Sequence, residues 1–286
     1  MKKVLIAVGA IAATVLAVAQ VGLAAWAGTS LGEVALAWSE TPVSSTMPDP
    51  EDETWEYFDE ETTFAVGADA SLSPTPDAEA AAAWDLFRRV AGEDIIVDHV
   101  ESFIVGDEED SDFSAYVRPE GDDSWALVVN LAYDHPYDLA TTMVHEYAHL
   151  LSLNATQVDH DVDWSRCGQT WVFEGCPRED AVIARFQDRF WDMYGYDVPD
   201  GIAGAADVAE FWSGREEQFV SEYAATSVLE DFAETFTTWV LLDGAPARSW
   251  GFRGLAEEKL EFLDDEPSIQ GERERILAAI ESELYG

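Results

Sequence analysis

The chain has 286 residues and a formal net charge of −43, from 58 acidic and 15 basic residues. So negative a surface repels polyanions, which excludes nucleic acid and anionic membrane surfaces as partners. The charge favours a solvated acidic coat, as in a salt-adapted or alkaline extracellular setting, with calcium binding or a preference for basic substrates as alternatives.

The first 27 residues predict export. Met1–Lys3 is a short basic start, Val4–Val21 is almost entirely apolar, and Ala25–Ala27 offers a small-x-small cleavage site. This pattern is typical of a secretory signal peptide, so we expect a secreted protein. The alternative is an uncleaved anchor, in which residues 4–27 hold the chain on the outer face of the cytoplasmic membrane.

Residues 28–80 differ in composition from the rest of the chain. They contain 13 acidic residues and no Lys or Arg. Such a segment buries too little apolar area to order itself, so it predicts a disordered acidic tether, with a pro-segment as the alternative. We expect residues 81–286 to form a single folded domain. The aromatic residues Trp55, Tyr57 and Phe58 of the tether could dock on that domain.

The remaining elements predict an α+β fold in which a small sheet precedes a mainly helical half. Asp77 is a good cap for the first helix, which is predicted to run to Ala91. The predicted strands are Ile95–Val105, Ser114–Val117 and Trp125–Asn130. The later helices are predicted at Asp138–Leu153, Arg178–Tyr194, Val228–Leu242 and Glu272–Leu284.

The predicted helix Asp138–Leu153 contains the sequence His145-Glu146-Tyr147-Ala148-His149. Positions i and i+4 share one face of a helix, so both imidazoles can reach one ion and Glu146 can reach a water beside it. Ordinary surface histidines are the alternative, but the flanking residues are apolar on both sides. Burial of two histidines and a glutamate without partners is costly, which favours a zinc site.

The two cysteines, Cys167 and Cys176, are close in sequence. In an exported protein such a pair predicts a disulfide, because eight intervening residues fit no usual zinc spacing. The acidic stretches 107–112 and 159–163 could bind Ca²⁺ through oxygen ligands, but neither matches the twelve-residue calcium loop. Calcium therefore stays an unassigned alternative.

A catalytic zinc usually takes a third protein ligand. No histidine follows His149 closely, and His160 lies eleven residues on in a polar stretch. The better candidate lies in the amphipathic helix that follows Ser227, where Glu230 and Glu234 are four residues apart on one face. If Glu230 binds the metal, Glu234 can accept a hydrogen bond from a ligand histidine. A solvated acidic edge is the alternative.

These segments together resemble the gluzincin metallopeptidases. In particular, they are similar to the catalytic domain of anthrax lethal factor and of related bacterial secreted peptidases. That group pairs H-E-x-x-H with Y-x6-E-x-F-A-E-x-F, and this chain matches the second pattern from Tyr223 to Phe236. The likeness covers two short segments, and none is seen in residues 28–80. From His149 to Glu230 there are 81 positions, which is long for the group and implies an insertion.

The resemblance implies a zincin-like metallopeptidase domain with one catalytic Zn²⁺. His145, His149 and Glu230 would be the ligands, Glu146 the general base and Tyr223 a donor to the oxyanion. The substrate would be a peptide or protein, bound as an added strand at a sheet edge; Trp125–Asn130 is either that edge or a central strand. The alternatives are a zinc-dependent hydrolase of other amides and a catalytically silent, zinc-stabilised surface interaction domain.

Overall fold

The computed structural model describes residues 58–285, apart from 110, 112–113, 122, 163–166, 168–174, 196–197 and 200–204. The predicted export signal and residues 28–57 of the predicted tether lie outside the described residues. Among those described, no helix is both long and apolar enough to cross a bilayer.

A mixed five-stranded sheet in the order β2-β1-β3-β5-β4 forms one layer of the fold. Strands β3 and β5 are parallel, and every other neighbouring pair is antiparallel. A separate antiparallel pair, β6 and β7, lies beyond the sheet in sequence. The strands are β1 (Thr62–Val66), β2 (Leu72–Ser73), β3 (Val100–Gly106), β4 (Ala115–Pro119), β5 (Trp125–Asn130), β6 (Val158–Asp159) and β7 (Cys176–Pro177).

Most of the chain after the sheet is helical, which confirms the predicted α+β class. The α-helices are α1 (Ala78–Ala91), α2 (Glu93–His99), α3 (Pro136–Leu153), α4 (Val182–Phe190), α5 (Ala205–Trp212), α6 (Val228–Leu241), α7 (Gly254–Asp265) and α8 (Glu272–Tyr285). Short 3-10 turns occur at Asp192–Tyr194, Glu216–Gln218, Tyr223–Thr226, Ala247–Trp250 and Pro267–Ile269.

The helices cover one face of the sheet, and α3 lies at the centre of the helical layer. It packs against α1, α6 and α8 and also contacts strand β4. Side chains alternate between the two faces of a strand, so Phe103 and Leu127 point into this main core. All six residues of β5 are buried, because β5 is a central strand between β3 and β4. The open choice between edge and centre for Trp125–Asn130 is thereby decided.

The folded part begins earlier than the predicted boundary at residue 81, so the predicted tether is wrong for residues 58–80. Strand β1 pairs with β3 although it lies in the acidic zone, because Phe64 is buried against Phe103 with ring centroids 6.0 Å apart. Phe58 docks as expected and is 3% exposed. It covers Gly106, where even a Cβ atom would collide with its ring.

The predicted strand Ile95–Val105 is wrong in its first half. The β-branched run at residues 95–97 favours a strand, but these residues lie in helix α2 and the strand begins only at Val100. Gly92, at φ 87°, separates α1 from α2, and acidic residues in the first turn of α2 suit a helix N-terminus. The predicted helix Arg178–Tyr194 is shorter, and α5 and α7 were not predicted.

Candidate metal centre

Helix α3 presents the H-E-x-x-H residues on a buried face. His135 caps the helix start, where its backbone N–H donates to Asp138, and Pro136 takes the first helical position. In the C-terminal half of the helix, His145, Glu146 and His149 are 5%, 4% and 8% exposed. Three polar side chains are therefore held together in the interior, where each needs a partner.

Helix α6 brings Glu230 to the two histidines. Ser227 caps this helix, and its hydroxyl accepts a hydrogen bond from the Glu230 backbone N–H at 3.2 Å. Glu230 lies in the first turn and is 5% exposed, because α6 packs directly on α3. The packing of these two helices joins residues that are 81 positions apart in the sequence.

The three ligand atoms form a nearly equilateral triangle. Glu230 Oε2 lies 3.1 Å from His145 Nε2 and 3.5 Å from His149 Nε2, and the two imidazole nitrogens are 3.1 Å apart. In a tetrahedral site with ligands about 2.0–2.1 Å from zinc, neighbouring ligand atoms lie about 3.3–3.4 Å apart. Within the described part of the chain, this is the one group of three such side chains positioned to share a metal ion.

Glu234, one turn along α6, contacts the other side of the His145 ring. Its Oε1 atom lies 3.0 Å from His145 Nδ1, and its Oε2 atom accepts a hydrogen bond from the Ser221 hydroxyl at 2.6 Å. A carboxylate at Nδ1 fixes the imidazole tautomer that leaves Nε2 free for a metal. The structure thus brings Glu234 into contact with His145, and its role as the outer partner of a metal ligand stays a prediction.

Glu146 joins helix α3 to the edge of the sheet. Its Oε2 atom accepts a hydrogen bond of 2.9 Å from the backbone N–H of Val117 in strand β4. Strand β4 is the edge of the sheet, and Val117 faces Leu127 across the β4–β5 pair. This carboxylate therefore lies between the imidazoles of α3 and the edge strand, without belonging to the ligand group.

The electrostatics of the cluster reflect burial and close pairing. Burial opposes a charged imidazole, but the hydrogen bonds from His145 to Glu230 and Glu234 raise the pKa of His145 well above its usual range. Burial also opposes ionisation of Glu230, yet the neighbouring His149 and His145 hold its pKa well below the usual range. For Glu146, burial prevails and raises the pKa of the carboxyl. The pKa values of Glu146 and Glu230 are thus shifted in opposite directions, although both lie near the same two histidines.

A scan against known protein families, a search of curated proteins and a search of solved structures each found no match to this chain. Its chemistry must be inferred from its own residues. Two histidine nitrogens and one carboxylate oxygen lie close enough together to hold one metal ion.

Tyr223 lies beside the cluster in the 3-10 turn Tyr223–Thr226. Its ring is partly buried, and its centroid lies 6.0 Å from that of His145, with the planes tilted by 37°. The turn packs against α6, which carries Glu230. The structure therefore brings Tyr223 near the predicted metal ligands.

Other predicted residues lie apart from the ligand triangle. Cys167 and Cys176 form the expected disulfide, and Cys176 belongs to β7. His160 is not part of the triangle, and its ring lies against Trp125 at 6.3 Å. The acidic stretches 107–112 and 159–163 lie partly outside the described residues.

Sequence reasoning missed two residues that contact the cluster, Ser221 and Val117. Val117 contacts Glu146 through its backbone N–H, and a backbone contact cannot be predicted from the type of the residue. Ser221 precedes Tyr223 by two positions and is 4% exposed. A serine two residues before Tyr223 could have indicated a polar contact near the site. Its partner Glu234 could not be predicted, because the contact depends on how the turn Tyr223–Thr226 packs on α6.

Proposed function

We propose that this protein is a secreted zinc metallopeptidase with a zincin-like domain of the gluzincin type. The observation that carries the proposal is the ligand triangle of His145, His149 and Glu230 with the separate carboxylate of Glu146 beside it. A purely structural zinc site is closed by four protein ligands and has no use for an additional buried glutamate. Three ligands and a free carboxylate instead suit hydrolysis.

The donor set fits zinc. The spacing of the three ligand atoms, 3.1 to 3.5 Å, is that of ligands around a small tetrahedral ion. Bound there, zinc would supply Lewis acidity and make water nucleophilic near neutral pH. Ca²⁺ prefers six to eight oxygen ligands, so two imidazoles disfavour it at this position.

The protein's own residues would handle the proton. Glu146 is buried, and burial raises its pKa, so this carboxyl can take a proton from water and return it to the leaving amine. The Val117 N–H holds the carboxylate through Oε2 and leaves Oε1 for the water. Tyr223 would donate a hydrogen bond to the developing oxyanion, a contribution of about 2.7–4 kcal/mol for one such donor.

The edge of β4 is the proposed substrate-binding strand. Backbone bonds from Asn130 to Ser114 and from Glu120 to Ser124 join β4 to β5. In an antiparallel pair such bonds involve alternate residues, so the backbone groups of Ala115 and the carbonyl of Val117 can pair with a peptide at the outer edge, while the Val117 N–H donates to Glu146. An extended peptide can pair with such an edge beside Glu146, which supports a peptide or protein substrate.

Secretion remains part of the proposal. The disulfide between Cys167 and Cys176 supports an oxidising compartment outside the cytoplasm. Residues 1–27 would act as the export signal, or residues 4–27 as an anchor. The net charge of −43 disfavours nucleic acid as a partner.

The test is cleavage of a mixed peptide library by the full chain and by Glu146→Gln, with zinc measured in both. We expect wild type to cleave and Glu146→Gln to retain zinc while losing about 10²–10⁴-fold in rate, the usual contribution of a general base. Glu266→Gln is the matched control, because Glu266 is equally buried but pairs with Arg185. Glu266→Gln should lower the stability of the chain and leave the cleavage rate unchanged.

Equal cleavage by wild type and Glu146→Gln would remove the assigned base. Bound zinc without any peptide cleavage by wild type would instead favour hydrolysis of another amide or a silent zinc-stabilised domain. Absence of zinc from wild type would remove the proposed function altogether.

A further inference from the structure

Ser221 is a buried polar residue that is not a predicted ligand, base or oxyanion donor. It lies between the 3-10 turns Glu216–Gln218 and Tyr223–Thr226 and is 4% exposed. Its hydroxyl donates to Glu234 Oε2 at 2.6 Å and accepts from the Ala224 backbone N–H at 3.0 Å. The Ser221 hydroxyl therefore both donates and accepts a hydrogen bond.

These bonds extend a chain that reaches the metal ligands. Ala224 N–H donates to Ser221, Ser221 donates to one oxygen of Glu234, and the other oxygen of Glu234 contacts His145 Nδ1 at 3.0 Å. The opposite nitrogen of the same ring, Nε2, belongs to the ligand triangle. The Ser221 hydroxyl, which accepts a hydrogen bond from the turn that begins at Tyr223, is thus two hydrogen bonds away from a ligand imidazole.

We propose that Ser221 is a positioning residue that couples the orientation of His145 to the placement of Tyr223. The proposal rests on the proposed function, because it requires His145 to bind the metal. A role confined to the turn would need only the acceptor side of the hydroxyl. The hydroxyl also donates a short hydrogen bond to the buried carboxylate of Glu234, and hydrogen bonds to charged groups are among the stronger ones.

Loss of the hydroxyl should act on both ends of the chain. Without Ser221, Glu234 Oε2 stays buried without its partner, and the carboxylate can turn away from His145. The imidazole then loses the contact that fixes its tautomer, which weakens metal binding. At the other end, the Ala224 N–H loses its acceptor, and the turn that begins at Tyr223 loosens.

The experiment compares zinc affinity among variants of the full chain, by competition with a chromophoric chelator. Ser221→Ala should bind zinc about tenfold more weakly, the lower end of the usual cost of losing an outer partner of a ligand, because Ser221 acts on His145 through Glu234. Ser221→Gly removes the same hydroxyl and serves as a second variant if Ser221→Ala does not fold. Ser221→Thr, which keeps the hydroxyl, should recover most of the affinity.

Ser152→Ala is the matched control. Ser152 is equally buried on α3, three residues after His149, and its hydroxyl bonds only to carbonyls of its own helix, those of Ala148 and His149. We expect Ser152→Ala to bind zinc as wild type does. Tyr223→Phe should also leave zinc affinity unchanged while lowering kcat, which separates the two ends of the chain of bonds.

A double-mutant cycle completes the test. Ser221→Ala and Glu234→Gln act through the same hydrogen bond, so the double variant should bind zinc no more weakly than Glu234→Gln alone. If wild type binds zinc and Ser221→Ala binds it equally well, the positioning role is overturned and the proposed function stands. Additive effects in the cycle would also overturn it. If wild type binds no zinc, both proposals fail together.

Discussion

Two sides of helix α6 bury carboxylates at adjacent positions and stabilise them in different ways. On one side, Glu230 and Glu234 contact His145, His149 and Ser221. On the other, Asp231 lies 2.6 Å from Lys259 Nζ, and both side chains are fully buried. Trp191 adds a hydrogen bond of 2.7 Å from its indole N–H to Asp231.

The Asp231 side contains its own permanent cation. Lys259 is the one lysine after residue 3, and it also donates to the Gln218 carbonyl and lies over the Phe219 ring at 3.8 Å. Burial raises the pKa of Asp231 and lowers that of Lys259, while their attraction opposes both shifts. This pair is complete without any ligand, so its role is structural.

The Glu230 side depends on imidazoles, which are charged only when they hold an extra proton. In the proposed function, zinc would replace that proton and turn the group into a metal site. Asp231 and Glu230 are neighbours in sequence, but Asp231 belongs to a buried ion pair and Glu230 to the proposed metal site. The following predictions test that separation.

The largest effect is expected for Lys259→Met. Removal of the cation leaves Asp231 buried without a counter-charge, which costs about 3–5 kcal/mol of unfolding free energy. Urea unfolding of the metal-free chain measures it. The double variant Asp231→Leu/Lys259→Met should regain most of the stability, because apolar replacement of a whole buried pair is often neutral. A loss below about 1 kcal/mol in the single variant would contradict a structural role for the pair.

Zinc should stabilise the chain through the Glu230 side alone. At a free zinc concentration about 1,000 times Kd, linkage adds about 4 kcal/mol to the unfolding free energy of wild type. We expect Lys259→Met to gain a similar increment from its lower starting stability, and chelator to remove the increment in both. Unfolding with and without zinc checks this, and an increment lost in Lys259→Met would show that the two sides are not independent.

A smaller effect is expected for Trp191→Phe. The substitution removes the hydrogen bond to Asp231, and bonds to charged groups are worth about 1.5–3 kcal/mol. Trp212→Phe is the control, since the Trp212 ring packs on Phe219 and the exchange keeps an aromatic ring there. Urea unfolding should show the larger loss for Trp191→Phe, with zinc affinity unchanged in both variants. Equal losses would indicate ring packing as the cause.

Periodic helices and the spacing of polar residues could be predicted from the sequence. The buried helix with His145 and His149, and the capped helix with Glu230 and Glu234, lie where their patterns indicated, because amphipathic periodicity and an N-cap serine act locally. The ligand triangle itself depends on how α3 and α6 pack. The sequence offered Glu230 as the candidate third ligand from its place in a capped amphipathic helix, and the resemblance implied the same set, but neither gives the packing of the two helices.

Features decided by tertiary contacts could not be predicted. Residues 62–66 pair with β3 although they lie in an acidic zone, and residues 95–97 are helical despite their β-branched side chains. Helix α7, which carries Lys259, was missed altogether. No sequence pattern pairs its lysine with Asp231, because the two residues lie on different helices and meet only through the packing of α6 and α7.

The most direct test of the central claim is zinc titration of two neighbouring carboxylate-to-amide variants, Glu230→Gln and Asp231→Asn, beside wild type. Wild type should bind one zinc ion per chain. Glu230→Gln should lose more than about 100-fold in affinity, beyond the usual cost of an outer partner. Asp231→Asn should lose stability but keep its zinc affinity within about tenfold. Equal affinities for wild type and Glu230→Gln would contradict a metal centre built from His145, His149 and Glu230.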